Sequence, residues 1–329
     1  MSTDTLLKSP GLRSPAVGNS LRNLIPLAVL IAFVVIISIA EPTFLGEASL
    51  QVVIDESLPI LILALGQIPV LLVASIDLSS AALASLGTII LAQALSSMGP
   101  GGLIAVLVLT TLAGAINGLL VAVAQVPSFI VTLGALGLFQ AIALIWSNGK
   151  TEPISVSGGY DYIGWLVNYQ IAGLSLAVWV SLILVLIMCA FLFLTNAGQA
   201  LYAVGLNEKA SMLTGMATRR TKVMAFAISG LSAGLAAILL GAKQYSSAPA
   251  LADSLLLPCI AAAIIGGCAI TGGVGNPIGV LFGALILTVL RIGTTVAGVN
   301  PNAQQVIYGV TIIVAVALTI DRRRLNLIK

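Results

Sequence analysis

Asp77, in Ser75-Ile-Asp-Leu-Ser79, is the one clear carboxyl group placed inside an otherwise apolar stretch of this chain. An acid in hydrocarbon is costly and is usually kept for function. The same residue can instead cap the helix that begins near Ser79, its oxygen accepting an orphan backbone N–H. Both readings stay open. If Asp77 faces a polar cavity, then Ser79, Asn117 in Gly114-Ala-Ile-Asn-Gly118, and Phe129 and Thr132 just after Pro127-Ser128 are candidates to line it. Polar side chains turned to lipid would go unsatisfied.

A second constellation runs from Thr195 to Lys222. It is too polar for hydrocarbon and too orderly for a slack linker. Asn207 can cap a short helix, Glu208 then stands at the positive end of its dipole, and Gly215 can end it in a left-handed conformation. Lys209, Ala210 and Leu213 lie between, and Arg219, Arg220 and Lys222 follow. Such a helix could dock a soluble partner; an ordinary basic loop on the cytoplasmic side is the plainer alternative.

Other chemistry is missing. The chain has no histidine, and Cys189, Cys259 and Cys268 show no paired spacing, which argues against a metal site or a disulfide framework. Small core side chains are the expected role of these cysteines. Gly149-Lys150-Thr151 mimics the end of a phosphate-binding loop, but position 144 is leucine where the pattern needs glycine. No cofactor is expected, and any ATP used must be bound by a partner.

The elements that position these residues follow from composition. Of 329 residues, 59% are hydrophobic and 8% charged. So little charge cannot cover a soluble surface. Apolar runs of spanning length recur at 24–40, 58–75, 81–95, 103–124, 129–146, 171–194, 223–242, 255–270, 277–296 and 306–320, which predicts an all-α polytopic membrane protein of about ten helices, the shorter ones broken or re-entrant. A β-barrel would alternate instead. The net charge of +3 gives no reason to expect a nucleic-acid partner. No small-residue cleavage site follows the first run, so it reads as an uncleaved span.

Basic residues cluster before residue 24, at Lys209 to Lys222, and at Arg322, Arg323, Arg324 and Lys329. Positive residues stay inside, so all three clusters should be cytoplasmic. The numbers of runs between them are even, as a shared side requires. The expected division is a tail at 1–23, a membrane domain at 24–320 with a cytoplasmic loop at about 195–222, and a tail at 321–329. Loops such as 41–47, 148–169, 244–254 and 298–304 fall on the other face.

Pro127 breaks the chain, and Gly266, Gly267, Gly272, Gly273 and Gly275 lie in a stretch too glycine-rich for a plain helix. Gly230-Leu-Ser-Ala-Gly234 and Gly279-Val-Leu-Phe-Gly283 have the small-xxx-small spacing of tight helix packing. A faint echo between the halves, in Gly114 and Gly283 and in Pro127 and Pro301, suggests repeated construction.

In these residues the chain resembles the permease subunits of bacterial ABC importers of the ribose, xylose and autoinducer-2 class. Ile76-Asp-Leu-Ser79, Asn117-Gly-Leu-Leu-Val121, Pro127-Ser-Phe-Ile-Val-Thr-Leu-Gly134, Tyr202-Ala-Val-Gly-Leu-Asn-Glu-Lys-Ala210, Leu213-Thr-Gly215, Ser229-Gly-Leu231, Ile260-Ala-Ala-Ala-Ile-Ile-Gly-Gly267 and Gly272-Gly-Val-Gly275 carry the likeness. It implies a multi-pass inner-membrane subunit, a second permease copy or paralogue, a cytoplasmic ATP-binding subunit and a periplasmic solute-binding protein. It also favours the docking helix at 207–215. Members of that class usually carry glycines around the aspartate motif and an acid before the alanine-rich helix. This chain has Ala74-Ser75, Ser80-Ala81 and Pro258-Cys259 there. A heterodimer with a standard second permease, or drift in a homodimer, would account for the change. Two other classes stay in view. An ion-coupled secondary transporter should carry buried acids or histidines, and Asp77 is its only clear candidate. A membrane enzyme lacks a converging nucleophile, base or metal set.

Overall fold

The computed structural model describes residues 16–154 and 159–296, with positions 298, 300, 306, 309 and 310 beyond them. Most of the expected tails, and nearly all of the last expected span at 306–320, lie outside the described residues. The helices are α1 (Ala16–Ala40), α2 (Glu47–Leu72), α3 (Ser80–Met98), α4 (Gly101–Ala122), α5 (Ser128–Ser147), α6 (Trp165–Asn168), α7 (Leu176–Leu194), α8 (Asn196–Leu206), α9 (Glu208–Leu213), α10 (Thr218–Gln244), α11 (Leu256–Ile265) and α12 (Pro277–Val296). Among the described residues seven helices are long and apolar enough to cross a membrane: α2, α3, α4, α5, α7, α10 and α12. The apolar part of α1 and the segment around α11 are shorter.

A helix apolar on every side belongs in the centre of a bundle. α2 meets that condition and is buried from Ser57 to Leu72. α10, α12 and α11 pack around it, with α7 against it as well, and α3 and α4 reach the bundle through α10. α4 and α10 approach most closely where Gly114 faces Gly230, because a Cβ on either would strike the other helix's backbone. α12 carries α1 on its outer side, with Ile37 seated against Gly293. α5 and α7 are peripheral and leave broad apolar faces uncovered, including Ile145 and Leu186.

Several expected boundaries move. The run expected at 171–194 starts its helix only at Leu176, because Gln170–Ile171 and Leu174–Ser175 form a tiny antiparallel hairpin. Ala172 and Gly173 close it at φ of 54° and 79°, the left-handed pair that two-residue hairpin turns require. A second strand pair joins Glu152–Pro153 to Ser246–Ser247. The described residues are therefore mostly helical, as expected, with two minimal strand pairs. The stretch at 195–206, expected as loop, is helix α8, with Thr195 accepting the Gly198 N–H as its cap at 3.0 Å. The run expected to reach Ile270 ends at Ile265, where Gly266 and Gly267 close α11. α1 begins at Ala16, inside the expected tail.

Candidate functional site

The α2–α3 connection turns back inside the bundle instead of running over its end. Asp77 there is 1% exposed. One of its carboxyl oxygens accepts the Ser79 N–H at 2.8 Å and the Ser79 hydroxyl at 2.6 Å. The other accepts the Ser229 hydroxyl of α10 at 2.6 Å. The turn is thus held by an aspartate bonding its own backbone two residues on, with one oxygen spare for a second helix. Asn117 of α4 donates to the Ser79 hydroxyl at 3.0 Å. Gln67 of α2 donates to the Asp77 carbonyl at 3.0 Å and to Ser80 at 2.9 Å. Thr132 of α5 donates to the Ile76 carbonyl at 3.2 Å, and the Ile76 N–H donates to Ser128 at 3.2 Å.

Four of the expected pathway residues, Asp77, Ser79, Asn117 and Thr132, therefore meet in one polar node that ties α2, α3, α4, α5 and α10 together. All four are buried within this single chain. Phe129 is not brought to the node; it projects from the first turn of α5 and is 54% exposed. Gln67, Ser80 and Ser229 also belong to the node; none was expected as a pathway residue, since each sits in a run whose neighbours are apolar or small.

On one side of the node the backbone is compressed. Ala74 holds φ at 55°, a left-handed conformation that favours glycine and costs another residue about 1–2 kcal/mol. Opposite stand Gly272 and Gly273, both left-handed, with φ of 86° and 72°. The Gly273 N–H donates to the Leu72 carbonyl at 2.9 Å. Gly205 of α8 lies on that same carbonyl, and a Cβ there would overlap it. Tyr202, one turn earlier, donates its hydroxyl to the Gly275 carbonyl at 2.8 Å. Gly267 is also left-handed, at φ 94°. Gly266 has ordinary helical φ and caps α11 against α12. Pro127 stands at the N-cap of α5.

α9 hangs directly from α8. Asn207 accepts the Ala210 N–H at 3.0 Å, and Gly215 follows the helix at φ 83°. Glu208 pairs with Lys222 of α10 at 2.6 Å. Ser211 points inward, whereas Lys209, Ala210, Met212 and Leu213 point out, Leu213 at 86% exposed. A six-residue helix that turns its leucine to solvent lacks an internal packing partner.

Two further clusters were not foreseen. The segment expected as an outer loop at 244–254 enters the bundle. Asp253 accepts the Ser85 hydroxyl of α3 at 2.7 Å with one carboxyl oxygen and the Gln140 amide of α5 at 2.8 Å with the other. The Ala252 N–H in turn donates to the Ser85 hydroxyl at 2.9 Å. Asp77 is thus not the only acid within the bundle, and a carboxyl group reappears a short way before Pro258-Cys259. Its signal was hidden because Asp253 sits beside a serine in a proline-containing stretch that reads as loop. At the opposite end from α9, Glu56 of α2 binds Lys243 of α10 at 2.8 Å and Arg291 of α12. Asp55 beside it accepts the Ser175 hydroxyl at 2.9 Å. Among the described residues no group of three or more histidine, cysteine or acidic side chains is placed to hold a metal ion.

Residues 49–316 match the family model described as the branched-chain amino acid transport system / permease component. The ribose import permease protein RbsC of Escherichia coli (strain K12) is 33% identical, over 90% of this chain and 92% of the relative. RbsC of Bacillus subtilis (strain 168) is 30% identical, over 91% of this chain and 92% of the relative. The autoinducer 2 import system permease protein LsrC of Enterobacter sp. (strain 638) is 35% identical, over 80% of this chain and 76% of the relative. No solved structure matches the chain.

Proposed function

The chain belongs to the family of branched-chain amino acid transport system permease components; it is a membrane transport subunit rather than an enzyme, and we propose that it moves a small sugar-like solute through the inner membrane of a bacterium. The solute class rests on the ribose and autoinducer 2 import permeases to which it is similar. In this reading a periplasmic binding protein delivers the solute, and a cytoplasmic ATP-binding subunit supplies the energy. A second permease, a copy or a paralogue, completes the membrane unit. The seven long helices, the two shorter apolar ones and the final run at 306–320 would then make ten crossings, with both tails and α9 in the cytoplasm. Asp77, Ser79, Asn117 and Thr132 hold the broken α2–α3 connection beside the solute path, with Phe129 on the uncovered face of α5.

The observation that carries the proposal is α9. It is capped at both ends, tethered to α10 by Glu208 and Lys222, and presents Ala210 and Leu213 outward. These two are three residues apart and share one side of the helix, a shape suited to a groove on the ATP-binding subunit. The test joins Ala210→Arg with Glu208→Lys. Membrane insertion should survive, while co-purification of the ATP-binding subunit and uptake of labelled D-ribose, or of whichever pentose or hexose the wild type carries, should fall together. Undiminished uptake and co-purification would place docking elsewhere. Uptake driven by an ion gradient and indifferent to ATP would replace the importer by a secondary transporter.

A further inference from the structure

The Asp253 cluster lies at mid-bundle, away from the Asp77 node and from α9. Gln140 stands roughly 18 Å from the start of α5 and roughly 10 Å from its end, at 1.5 Å per residue. Ser85 is likewise inside α3, and both helices have spanning length and apolarity. Yet Asp253 and Gln140 are only half-buried, and Ser254 beside them is exposed. A carboxyl group and an amide at this depth cannot be left facing acyl chains. Whatever they face offers hydrogen bonds.

The cluster also has bonding capacity left over. Each Asp253 oxygen accepts one side-chain donor, from Ser85 and Gln140, and a carboxyl group can accept more than two bonds. The Gln140 amide uses one of its groups on Asp253, and no bond to its carbonyl oxygen is found among the described residues. Ser85 spends its one proton on Asp253 and accepts the Ala252 N–H, so it fixes the carboxyl group and has no donor left to offer. Beside Gln140 the same side of α5 is stripped to Gly134 and Gly137, where an added Cβ would meet nothing. Residues three and four apart share a helix face, so this glycine strip leads up to the amide. Leu257, four residues after Asp253, is half-exposed. Unused acceptor positions on Asp253 and Gln140 therefore stand next to exposed positions, Gly137 on one element and Ser254 and Leu257 on the other.

We propose that Asp253 and Gln140, held in place by Ser85, form a contact site in the solute path for a neutral polyhydroxylated molecule. Adjacent hydroxyls would donate to the free lone pairs of Asp253 and to the Gln140 carbonyl, while the carbon face of the ring would lie against Leu257. Their loss would slow passage without touching the docking of α9. The proposal rests on the importer reading above, and the experiment separates the two.

The intact transporter, with its ATP-binding and solute-binding partners, is studied in a background lacking Cys189, Cys259 and Cys268. Ser254→Cys and Leu186→Cys are exposed to a membrane-impermeant methanethiosulfonate. Leu186 lies mid-helix on the uncovered side of α7 and serves as the lipid-facing reference. Ser254→Cys should react at least about tenfold faster. Equal, slow rates would overturn the site, because the cluster would then face lipid or a sealed contact with a second copy. In the second arm, Gln140→Ala and Asp253→Asn are compared for uptake of labelled D-ribose and of a panel of other pentoses and hexoses. The maximal rate should fall roughly tenfold, the effect of about 1.4 kcal/mol of lost bonding, with KM, set by the binding protein, and the amount of assembled complex unchanged. Wild-type uptake of a panel sugar that both variants match would refute the site alone. A wild-type chain that carries none of them, or prefers a cationic probe such as putrescine, would refute the sugar reading and the solute class of this site together.

Discussion

Replacing Asp77 by alanine should destabilise the protein far more than replacing it by asparagine, and the two numbers can be worked from the node. Asp77 accepts three bonds: the Ser79 N–H, the Ser79 hydroxyl and the Ser229 hydroxyl. In Asp77→Ala the Ser229 hydroxyl can rotate to a carbonyl of its own helix one turn back. The two donors of Ser79 have no such escape, because that residue is fully buried at the mouth of α3. Each stranded buried donor costs about 1–3 kcal/mol, so the alanine variant should lose roughly 2–6 kcal/mol. In Asp77→Asn the amide oxygen keeps both Ser79 bonds, and the amide nitrogen donates to Ser229, whose hydroxyl reverses role. That exchange should cost on the order of 1 kcal/mol or less. Membrane proteins seldom unfold reversibly, so the measurement is relative melting in one detergent, read with a thiol-reactive dye at the buried Cys259 and Cys268. At a few degrees per kcal/mol, alanine should lower the midpoint by on the order of 5–15 °C and asparagine by a few degrees at most. Equal melting of wild type and Asp77→Ala, with transport abolished in the alanine variant, would refute the reasoning. Asp77 would then be a water-facing group of the path, not the knot of the node.

Three other outcomes follow from the same structure. Gly205→Ala should force α8 off the Leu72 carbonyl, so uptake per ATP hydrolysed should fall while the complex still assembles, as measured in proteoliposomes. Glu56→Gln leaves Lys243 and Arg291 without their shared counter-charge; a melting loss worth about 1–3 kcal/mol is expected, and an unshifted midpoint would show the cluster to be idle. Glu208→Gln removes an exposed partner of Lys222, and such pairs contribute only about 0–1 kcal/mol, so melting should be indistinguishable from wild type.

The spans were legible because hydrocarbon imposes one rule on every residue that meets it: long apolar runs without charge. Asn207 and Gly215 were legible too, since caps are local devices written within a few residues. The node was legible only in part. Asp77 stood out against its apolar neighbours, but its partner Ser229 lies 152 positions away, and no local pattern names a partner across that distance. Asp253 was missed for a different reason. Its segment has the composition of a surface loop, and only the tertiary path of the chain, folding 244–254 back between α3 and α5, places it in the interior. α8 was missed because Gly198 and Gly205 depress helix propensity, while what recommends Gly205 is a close approach that sequence cannot display.

The contact among Leu72, Gly205 and Gly273 has a mechanical meaning. Most helix contacts are cushioned by side chains, which can change rotamer and absorb an ångström of displacement. Here α8 rests on the end of α2 with no side chain between them, and the glycine turn is bonded to the same carbonyl oxygen. Peptide groups are stiff and have no alternative rotamer. Such a joint has almost no compliance. On the proposed reading of α9 as the docking helix, a push delivered there would reach α8 within one residue and pass into α2 and the turn ahead of α12 with little damping, so the membrane segments would respond to the sign and size of the stroke rather than to a softened fraction of it.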